Sequence, residues 1–581
     1  MKTIPFKEIF LYLNKILTKG QKKSAVTLLF IMIIGMTFEV LLLHNLLILL
    51  NYLTQSEIET PKLVNYFAEL FNLKQISLLV LLLFISTFFI KTLATILVNW
   101  KESKFIFSLK AKISERLFLG YLSLPLIFHQ RTNTSKILKN ITFEVDQLSF
   151  LMNAISTLAL ELLELIGISS YLIAIDPLIS SICIIAFLLF GYFFNLFNKG
   201  KIKSMSQKRL VHQDGRVKSI MEGLTGMREL KLWSKENSFL KTFSFHNDEI
   251  AHISTSTTLR NTLTKPSFEI FMLIILSIFL LYLISNGLLN ASAIPLFGIY
   301  LAAAYRLVPS IARIVQAVQT MQFNLKCAKN LKDEIEKFVE LEKIGNNDKE
   351  VRFHNKIQVK NLTFNYNLEN DKKNLNILED INFEVKKGDC VGIQGESGSG
   401  KSTLIDLLIG LQLPSKGEIL VDGMNINQST KNWQRLVGCV PQDVFIIDDT
   451  LKKNIAFGIS EKNISEDQIN KCLEFSNLKD FVLSLENNLD TVIGERGARL
   501  SGGQKQRIGI ARSIYHNPDI LIFDESTNSL DVETEKKILS EIYSFKKQKT
   551  IFIISHKNQI LKNCDYILGL KNKKIVLKNQ F

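Results

Sequence analysis

The chain has few cysteines, and their positions argue against two kinds of site. Only six occur among 581 residues, and no two stand at a spacing typical of metal ligands. Cys183 lies in an apolar stretch, and the others lie outside such stretches: Cys327, Cys390, Cys439, Cys472 and Cys564. A disulfide framework needs paired cysteines in an oxidising compartment. We therefore expect free thiols and neither a structural disulfide nor a cysteine metal site.

The sequence also lacks an internal repeat and a segment in which basic and aromatic residues alternate. Its formal net charge is +15, which in other contexts indicates nucleic-acid binding. Without an aromatic-basic module, we attribute the excess to contact with the inner leaflet and to cytosolic loops. The sequence predicts no nucleic-acid partner and one copy of each domain described below.

Long apolar runs are abundant, and they are concentrated in the first 330 residues. Hydrophobic residues make up 47% of the chain. Six stretches are long and apolar enough for membrane helices of about 20 residues: 25–50, 77–99, 147–172, 178–196, 266–287 and 293–311. The sequence therefore predicts a membrane α-helical bundle with six spans.

Lysine and arginine are distributed unevenly around these spans. The leader and the segments 100–146 and 197–265 are rich in both, whereas 51–76 contains only Lys62 and Lys74. Positively charged loops stay on the cytoplasmic side, so we expect both termini to be cytoplasmic. The two long charged segments are predicted to be helices that extend out of the bilayer.

The second half of the chain carries a phosphate-binding string. Residues 395–402 fit G-x-x-x-x-G-K-[ST], between an apolar strand at 389–393 and a helix at 402–411. In this pattern backbone N–H groups cradle phosphates, a lysine reaches the β- and γ-phosphates, and a hydroxyl binds Mg²⁺. The predicted nucleotide-binding residues are Gly395, Ser397, Gly398, Gly400, Lys401, Ser402 and Thr403.

Two further motifs follow in order. Residues 500–507 read Leu-Ser-Gly-Gly-Gln-Lys-Gln-Arg, and the apolar strand 520–523 ends in Asp524 and Glu525. Asp524 can position Mg²⁺, and Glu525 can orient or deprotonate the attacking water. Together with the phosphate-binding string, these motifs resemble the ATP-binding cassette (ABC) family. The resemblance implies an α/β P-loop ATPase domain that uses ATP and Mg²⁺ and couples hydrolysis to transport.

The resemblance assigns roles to more residues. It implies that Tyr366 stacks on adenine, that Gln442 senses Mg²⁺ and the membrane domain, and that His556 is the switch histidine at the γ-phosphate. In the family, each ATP lies between one subunit's phosphate loop and the other's signature, here Ser501, Gly502, Gly503 and Gln504, with Asp531 at the dimer contact. A homodimer with two identical sites is therefore implied.

Three positions depart from the commonest ABC pattern. The loop from Tyr366 to Leu378 is long and rich in Asn and Lys, Asn528-Ser529 stands where Ser-Ala is usual, and Lys557 stands where Arg is common. No catalytic group is missing. The predicted site is therefore competent for hydrolysis.

The layout resembles exporter-type ABC half-transporters. Turns near 124–126 and 222–226 are similar to their coupling helices, and the Gly-Glu-Arg-Gly string at 494–497 is typical of them. We predict a transmembrane domain at 1–340, a linker at 341–355 and a nucleotide-binding domain at 356–581. The resemblance implies a multi-pass protein of the bacterial inner membrane.

Ionisable residues inside the spans are candidates for substrate binding, because they are costly in a membrane. Lys91, Lys265, Arg306 and Arg313 suggest a cavity for an anionic cargo such as a pyrophosphate head group. The alternative is that they pair with Glu161, Glu164 or Glu269 for packing, or that they reach to the membrane interface.

A segment on the predicted outer side suggests a resemblance to one type of ABC exporter. Apolar residues in 61–74 fall on one stripe, which predicts a short amphipathic helix on the outer membrane surface. With the strings 130–139 and 305–310, this resembles the PglK and Wzk type of flippase, whose cargo is a polyprenyl-pyrophosphate oligosaccharide for protein glycosylation or lipopolysaccharide. A general lipid or multidrug exporter is the alternative. A regulatory ABC protein that does not pump is disfavoured by Glu525 and His556.

Overall fold

The computed structural model describes residues 6–53, 76–285, 293–342, 350–366, 376–494 and 497–578. The chain divides into two compact units. One consists of Met1–Leu124 and Phe128–Glu340, and the other of Pro125–Ile127 and Leu341–Phe581. The predicted outer helix at 61–74, most of the loop after Tyr366, and Glu495 and Arg496 lie outside the described residues.

The described part of the first unit is helical. Its helices are α1 (Phe6–Ile16), α2 (Lys19–Leu53), α3 (Ile76–Ser123), α4 (Leu126–Arg131), α5 (Thr134–Lys139), α6 (Val145–Ile175), α7 (Pro177–Thr225), α8 (Met227–Trp233), α9 (Glu236–Ser285) and α10 (Ala293–Glu342). The π-helical segment Asn140–Glu144 joins α5 to α6. The turn from α6 to α7 is sharp because Asp176 accepts hydrogen bonds from the N–H groups of Leu178 and Ile179, and Pro177 suits the first helical position.

Five described segments are long and apolar enough to cross a membrane: Lys19–Leu50, Leu79–Ser123, Thr134–Ile175, Pro177–Thr225 and Gly298–Phe338. The predicted span 266–287 is helical as far as Ser285 and then leaves the described residues. Six spans therefore remain a prediction. Large apolar side chains such as Phe89, Ile166 and Phe193 stay exposed, as expected where lipid is the solvent. Among the buried apolar residues, Ile168, Phe187, Phe268 and Ile311 belong to one cluster of α6, α7, α9 and α10.

The second unit is α/β. Its strands are β1 (Lys356–Phe364), β2 (Leu378–Lys386), β3 (Cys390–Gly395), β4 (Lys416–Val421), β5 (Met424–Asn425), β6 (Val437–Val440), β7 (Ile520–Asp524), β8 (Thr550–Ile554), β9 (Tyr566–Lys571) and β10 (Lys574–Lys578). The helices are α11 (Lys401–Ile409), α12 (Thr430–Arg435), α13 (Leu451–Ile455), α14 (Glu466–Phe475), α15 (Lys479–Leu483), α16 (Gly502–Tyr515), α17 (Val532–Ser544) and α18 (Asn558–Leu561).

Two sheets organise this unit. An antiparallel sheet has the order β2-β1-β4-β5, and a six-stranded sheet has the order β10-β9-β3-β8-β7-β6. In the larger sheet, β9, β3, β8, β7 and β6 pair in parallel and β10 closes the edge antiparallel to β9. Every residue of β7 and β8 is buried, which explains their continuous apolar sequences. The parallel strands end at one edge, where ligands of such sheets bind.

Candidate nucleotide-binding site

Four neighbouring parallel strands deliver most of the predicted ATPase residues to one edge. β3 leads into the phosphate loop, β7 ends in Asp524, and β8 is followed by Ser555 and His556. Gln442 lies two residues beyond β6. The register pairs Asp524 with Ile554, so the carboxylates and the histidine lie on adjacent strands. The order β3-β8-β7-β6 therefore converts motifs that are far apart in sequence into one site.

The phosphate loop needs its glycines for steric reasons. Gly398 and Gly400 have φ angles of +77° and +103°, a region that side chains disfavour. A Cβ on Gly395 would lie 2.6 Å from the Ser399 hydroxyl oxygen and 2.8 Å from the Leu570 carbonyl oxygen. A Cβ on Gly398 would meet nothing within 4 Å, so the loop is open there. These positions form a backbone cradle with an unobstructed side.

Lys401 begins α11 and folds back over this loop. Its ammonium nitrogen donates to the carbonyl oxygens of Gly395 and Glu396, at 2.9 and 3.0 Å. The lysine is 7% exposed. Thr403, on the same first turn, is also buried, whereas Ser397 in the loop is exposed. The lysine is therefore held at the centre of the cradle, where a phosphate could take over its contacts with the two carbonyls.

Asp524 and Ser402 form the expected metal-binding pair. Asp524 is buried, and burial raises the pKa of its carboxyl, with a further contribution from the charge of Glu525. The Ser402 hydroxyl donates a hydrogen bond to that carboxylate, which opposes the rise in pKa. Hydroxyl and carboxylate oxygens are hard ligands that suit Mg²⁺ when substrate phosphates complete its shell. The cradle and this pair fit a magnesium nucleotide.

Three side chains contact Glu525, two from other segments and one from the turn that follows it. Its Oε1 lies 2.9 Å from Nε2 of His556. Its Oε2 accepts hydrogen bonds from the side-chain amides of Asn528, at 3.0 Å, and Gln442, at 3.4 Å. The structure thus brings together Glu525, His556 and Gln442, the three residues predicted to act in catalysis. The Glu525 N–H donates to the Ile554 carbonyl at 3.2 Å and its φ angle is +46°, so its backbone is fixed to β8.

Asn528 is a site residue to which sequence reasoning gave no role. The sequence did mark this position, because Asn528 is one of the residues that depart from the commonest ABC pattern. Only the folded chain shows that the amide faces the Glu525 carboxylate. A hydroxyl-bearing serine is shorter and has a different donor geometry. The departure therefore changes the surroundings of the proposed general base.

The signature lies at the start of α16. Ser501 caps this helix, its hydroxyl accepts from the Gln504 N–H at 3.2 Å, and the Gln504 side chain accepts from the Ser501 N–H at 2.8 Å. This is a capping box. A Cβ on Gly503 would lie 3.0 Å from the Ser529 carbonyl oxygen, and one on Gly502 would lie 3.5 Å from the Ser529 Cβ. The glycines therefore allow the signature to pack against the segment that carries Asn528.

Asp531 caps the next helix, α17. Its carboxylate accepts a hydrogen bond from the Thr534 N–H at 2.9 Å, and that bond lowers the pKa of the carboxyl. Ser501, Gly502 and Asp531 are all exposed. The structure gives these predicted dimer-contact residues local capping roles and leaves them on the surface of the unit.

Tyr366 follows β1 and is half-buried. Its ring packs edge-on against Phe364, with centroids 5.0 Å apart, and its hydroxyl accepts from the Gln412 amide at 3.5 Å. The same amide donates to Asp406 at 3.1 Å. Burial, helped by the charge of Asp524, raises the pKa of Asp406 to about 6. A network of polar side chains thus connects Tyr366 with α11.

In the membrane unit, the four predicted cargo-binding cations do not form one group. Lys91 and Arg306 share the Glu39 carboxylate, Lys91 at 3.0 Å. Arg313 binds Glu161, which also accepts from the Ser310 hydroxyl. Lys265 lies 3.6 Å from Glu269 on an exposed face of α9. Each of the four cations therefore has a carboxylate partner, which is the kind of pairing that the alternative interpretation expects.

Comparisons with known proteins identify both units. The family described as the ABC transporter transmembrane region matches residues 23–304, and the ABC transporter family matches residues 378–528. A putative multidrug export ATP-binding/permease protein, YgaD of Bacillus subtilis, is 27% identical over 496 residues, which are 82% of this chain and 81% of that protein. An ATP-dependent lipid A-core flippase of Burkholderia pseudomallei is 26% identical over 482 residues, 83% of this chain and 79% of the flippase.

A solved structure shows the same architecture. A bacterial Atm1-family ABC exporter with ATP bound has a TM-score of 0.78 at 20% identity, over 96% of this chain and 95% of that one. The fold is thus a transmembrane helical domain followed by an α/β ABC ATPase domain, as the sequence predicted. The protein is a membrane-spanning ATP-dependent ABC transporter. Within that class, it is an ABC exporter half-transporter, with one transmembrane region and one ATPase domain in the chain.

Proposed function

We propose that this exporter uses ATP hydrolysis to move an anionic amphiphilic lipid across the bacterial inner membrane. The specific cargo proposed is a polyprenyl-pyrophosphate-linked oligosaccharide used for protein glycosylation or lipopolysaccharide assembly. The supporting observation is a cavity of about 600 Å³ in the membrane unit. Lys91 and Arg306 line it together with apolar and aromatic side chains, among them Phe84, Phe88 and Tyr305.

The cavity suits a molecule with two chemical parts. Its apolar wall favours hydrocarbon, whereas the ammonium and guanidinium groups favour phosphate oxygens. The side chains of Arg306 and Lys91 keep 32% and 16% of their surface exposed, so both can reach a ligand. Arg313 and Lys265 do not line this cavity. We therefore assign head-group binding to Lys91 and Arg306 and give Arg313 a structural role with Glu161.

In the ATPase domain, the proposed roles follow the geometry. Lys401 and the N–H groups of the loop 395–400 would hold the phosphates. Ser402, Asp524 and Gln442 would hold Mg²⁺, which would supply positive charge to the phosphate oxygens. Glu525 orients the attacking water and accepts its proton, and His556 orients Glu525 and lies where the γ-phosphate would bind. Tyr366 would support the adenine.

We further propose a homodimer with both termini in the cytoplasm. Ser501, Gly502, Gly503 and Gln504 would complete the site of a second copy, and Asp531 would contact that copy. Two observations support this arrangement. Ser501 and Gly502, the first two of these residues, are exposed. The capping box fixes their backbone and involves neither Lys401 nor Ser402. The proposed domain limits are 1–340, 341–355 and 356–581.

A general lipid or multidrug exporter is the second candidate. Relatives of similar identity carry the names multidrug export protein and lipid A-core flippase. A small enclosed cavity lined by apolar residues, including Phe187, Met272 and Leu307, would also suit a neutral hydrophobic compound. On this alternative, stimulation of ATPase activity would follow hydrophobicity and would not depend on the head group.

The test compares head groups and cations in the purified full-length protein reconstituted in vesicles. ATPase stimulation would be measured with a polyprenyl diphosphate, the corresponding monophosphate and the neutral polyprenol. We expect stimulation in the order diphosphate, monophosphate, polyprenol. Arg306→Gln should raise the half-stimulating concentration of the diphosphate by about tenfold, the loss of one charged hydrogen-bonding group.

The design contains two safeguards. Arg306→Gln leaves Glu39 paired with Lys91, so the variant retains a partner for the buried carboxylate. Lys265→Gln removes a cation of the same unit that the structure places on an exposed helix face, and its half-stimulating concentration should match that of the wild type. Equal stimulation by diphosphate and neutral polyprenol would reject the anionic cargo and favour the general exporter.

A further inference from the structure

The Glu39 carboxylate occupies the place that the cargo's head group would take. Its Oε1 accepts from the Arg306 guanidinium and its Oε2 lies 3.0 Å from the Lys91 ammonium. The carboxylate itself is almost fully buried, whereas the two cations are exposed to the cavity that all three residues line. An anion of the protein therefore bridges the two cations that an incoming phosphate would need.

A second ion pair nearby shows that this arrangement is not general. Glu161 receives three donors, since Arg313 binds it through two nitrogens and Ser310 adds its hydroxyl. Glu39 is bound through a single nitrogen of Arg306 and through the flexible Lys91 side chain. A guanidinium group has five N–H donors, so binding Glu39 through one leaves Arg306 with capacity for phosphate oxygens. The Glu161 carboxylate is therefore held by more donors than the Glu39 carboxylate.

The cations of this region already have partners. Lys91 and Arg306 share the Glu39 carboxylate, and Arg313 binds Glu161. Glu164 interacts electrostatically with both pairs, and one of its buried oxygens has no hydrogen-bond partner among the described residues. A diphosphate that enters the cavity therefore meets cations that a carboxylate already bridges. To contact Lys91 and Arg306 fully, it has to take over the contacts that Glu39 makes with them.

We propose that Glu39 is an internal counter-anion that competes with the cargo for Lys91 and Arg306. It bridges the two cations when the cavity holds no head group, it is displaced when a phosphate binds, and it returns to expel that phosphate. This inference rests on the proposed anionic cargo and deepens it. The phosphate then binds more weakly than it would bind to two cations without a competing carboxylate. Its release is correspondingly easier.

The competition also provides a basis for selection. A neutral head group offers nothing that replaces the Glu39 carboxylate, and a singly charged one offers about the same charge. A diphosphate carries more charge and more acceptor oxygens than the carboxylate, so it displaces Glu39 most readily. Selectivity for the diphosphate over the monophosphate is then a property of Glu39 as well as of the two cations.

The experiment uses Glu39→Gln in the reconstituted full-length protein. The amide keeps the shape of the side chain and removes the competing charge. We expect the half-stimulating concentration of polyprenyl diphosphate to fall by about fivefold or more, the lower end of typical coupling between linked binding events. The advantage of the diphosphate over the monophosphate should shrink, and the maximal transport rate should fall because release is slower. Glu269→Gln, which removes an exposed carboxylate from α9, should change none of these quantities.

A second variant guards against a folding defect. Glu39→Asp keeps the charge but shortens the side chain, so it should weaken the bridge between the cations and shift the half-stimulating concentration in the same direction by less. If neither variant assembles in the membrane, the proposal fails, because an exchangeable counter-anion must be dispensable for the fold. Wild-type values for Glu39→Gln in a protein that folds would also overturn it.

Failure of this inference differs from failure of the proposed function. If the wild type responds to the diphosphate and Arg306→Gln impairs that response, the anionic cargo stands. An unchanged Glu39→Gln then rejects the counter-anion alone. If the wild type does not distinguish diphosphate from neutral polyprenol, the cargo assignment and the counter-anion both fall.

Discussion

The two charged sites of this protein are built in different ways. At the ATPase edge, Lys401, Ser402, Asp524 and Glu525 stand in two short motifs that follow β3 and β7, two strands of one sheet with β8 between them. In the membrane unit, Glu39, Lys91 and Arg306 come from three helices, and Arg306 and Glu39 are 267 positions apart in sequence. The first site presents backbone N–H groups and a lysine to a ligand. In the second, a carboxylate of the protein already bridges the two cations.

The difference follows from what each ligand demands. Phosphate held by a loop and a helix N-terminus requires a particular backbone, and the glycines needed for that backbone leave a pattern in the sequence. A cation in a membrane requires only some partner, and many pairs of helices can supply one. The residues that bind phosphate at the ATPase edge can therefore be predicted one by one from the sequence. In the membrane, the role of a cation depends on the partner that the fold gives it.

The largest expected effect concerns the proposed general base at the ATPase edge. Glu525→Gln keeps the shape and removes the proton acceptor, so ATP hydrolysis should fall by about 10²-fold or more while ATP still binds. The measurement is steady-state ATPase activity together with nucleotide binding in the purified protein. Near-normal turnover would show that the side chains around Glu525 serve only to hold the fold.

Mixing subunits tests whether each ATPase site is built by one chain or by two. Lys401→Ala and Ser501→Ala proteins should each be inactive, because each damages both sites of its homodimer. Co-reconstituted after subunit exchange, they should regain part of the ATPase activity, since a mixed dimer has one intact site. Activity no higher than that of either parent would indicate that each site is contained in one subunit.

A smaller effect is expected at Asn528. Its amide donates to the Glu525 carboxylate, so Asn528→Ala should lower kcat by about threefold to tenfold with little change in KM for ATP, as expected for a residue that positions the base. Asn528→Asp should cost more, because it places a like charge about 3 Å from Glu525. A change in KM alone would contradict a positioning role.

The smallest expected effect is a pH dependence of stability in the ATPase domain. The pKa of Asp406 is raised to about 6 in the folded protein, so the folded state binds the extra proton and stability falls as pH rises from about 4 to 6. Above pH 6, Asp406→Asn should therefore stabilise the domain by about 1 kcal/mol, a value discounted because the carboxyl is only partly buried. Below pH 4 the gain should vanish.

Trp433 offers a local probe for that measurement. It is buried, and its indole N–H donates to the Leu408 carbonyl on the same helix as Asp406, at 2.8 Å. Trp100 and Trp233 are exposed and belong to the other unit, so replacing both by phenylalanine isolates the signal of the ATPase domain. Equal unfolding midpoints for both proteins at pH 5 and pH 8 would contradict a raised pKa.

The sequence by itself predicted the membrane bundle, the ABC ATPase domain and the location of the phosphate loop. These follow from contiguous patterns: apolar runs of bilayer length, and glycines, lysine and carboxylates at strand ends. The resemblance to the ABC family assigned Gln442 and His556 to the site, whereas Glu525 was recognised from its place at the end of an apolar strand. The contact between Asn528 and Glu525 could not be predicted in this way. It depends on the backbone of the turn after β7, where Glu525 adopts a positive φ angle.

Only the tertiary structure decided how the charges in the membrane unit are used. Arg306 and Arg313 are seven residues apart, two turns of a helix, and so lie on one face of α10. Nevertheless, one binds Glu39 on α2 and the other binds Glu161 on α6. No local pattern specifies such pairs, because the pairing energy depends on which helices pack together and not on distance along the chain. The sequence therefore identified costly charges, and the packing of α2, α3, α6 and α10 determined which carboxylate each cation meets.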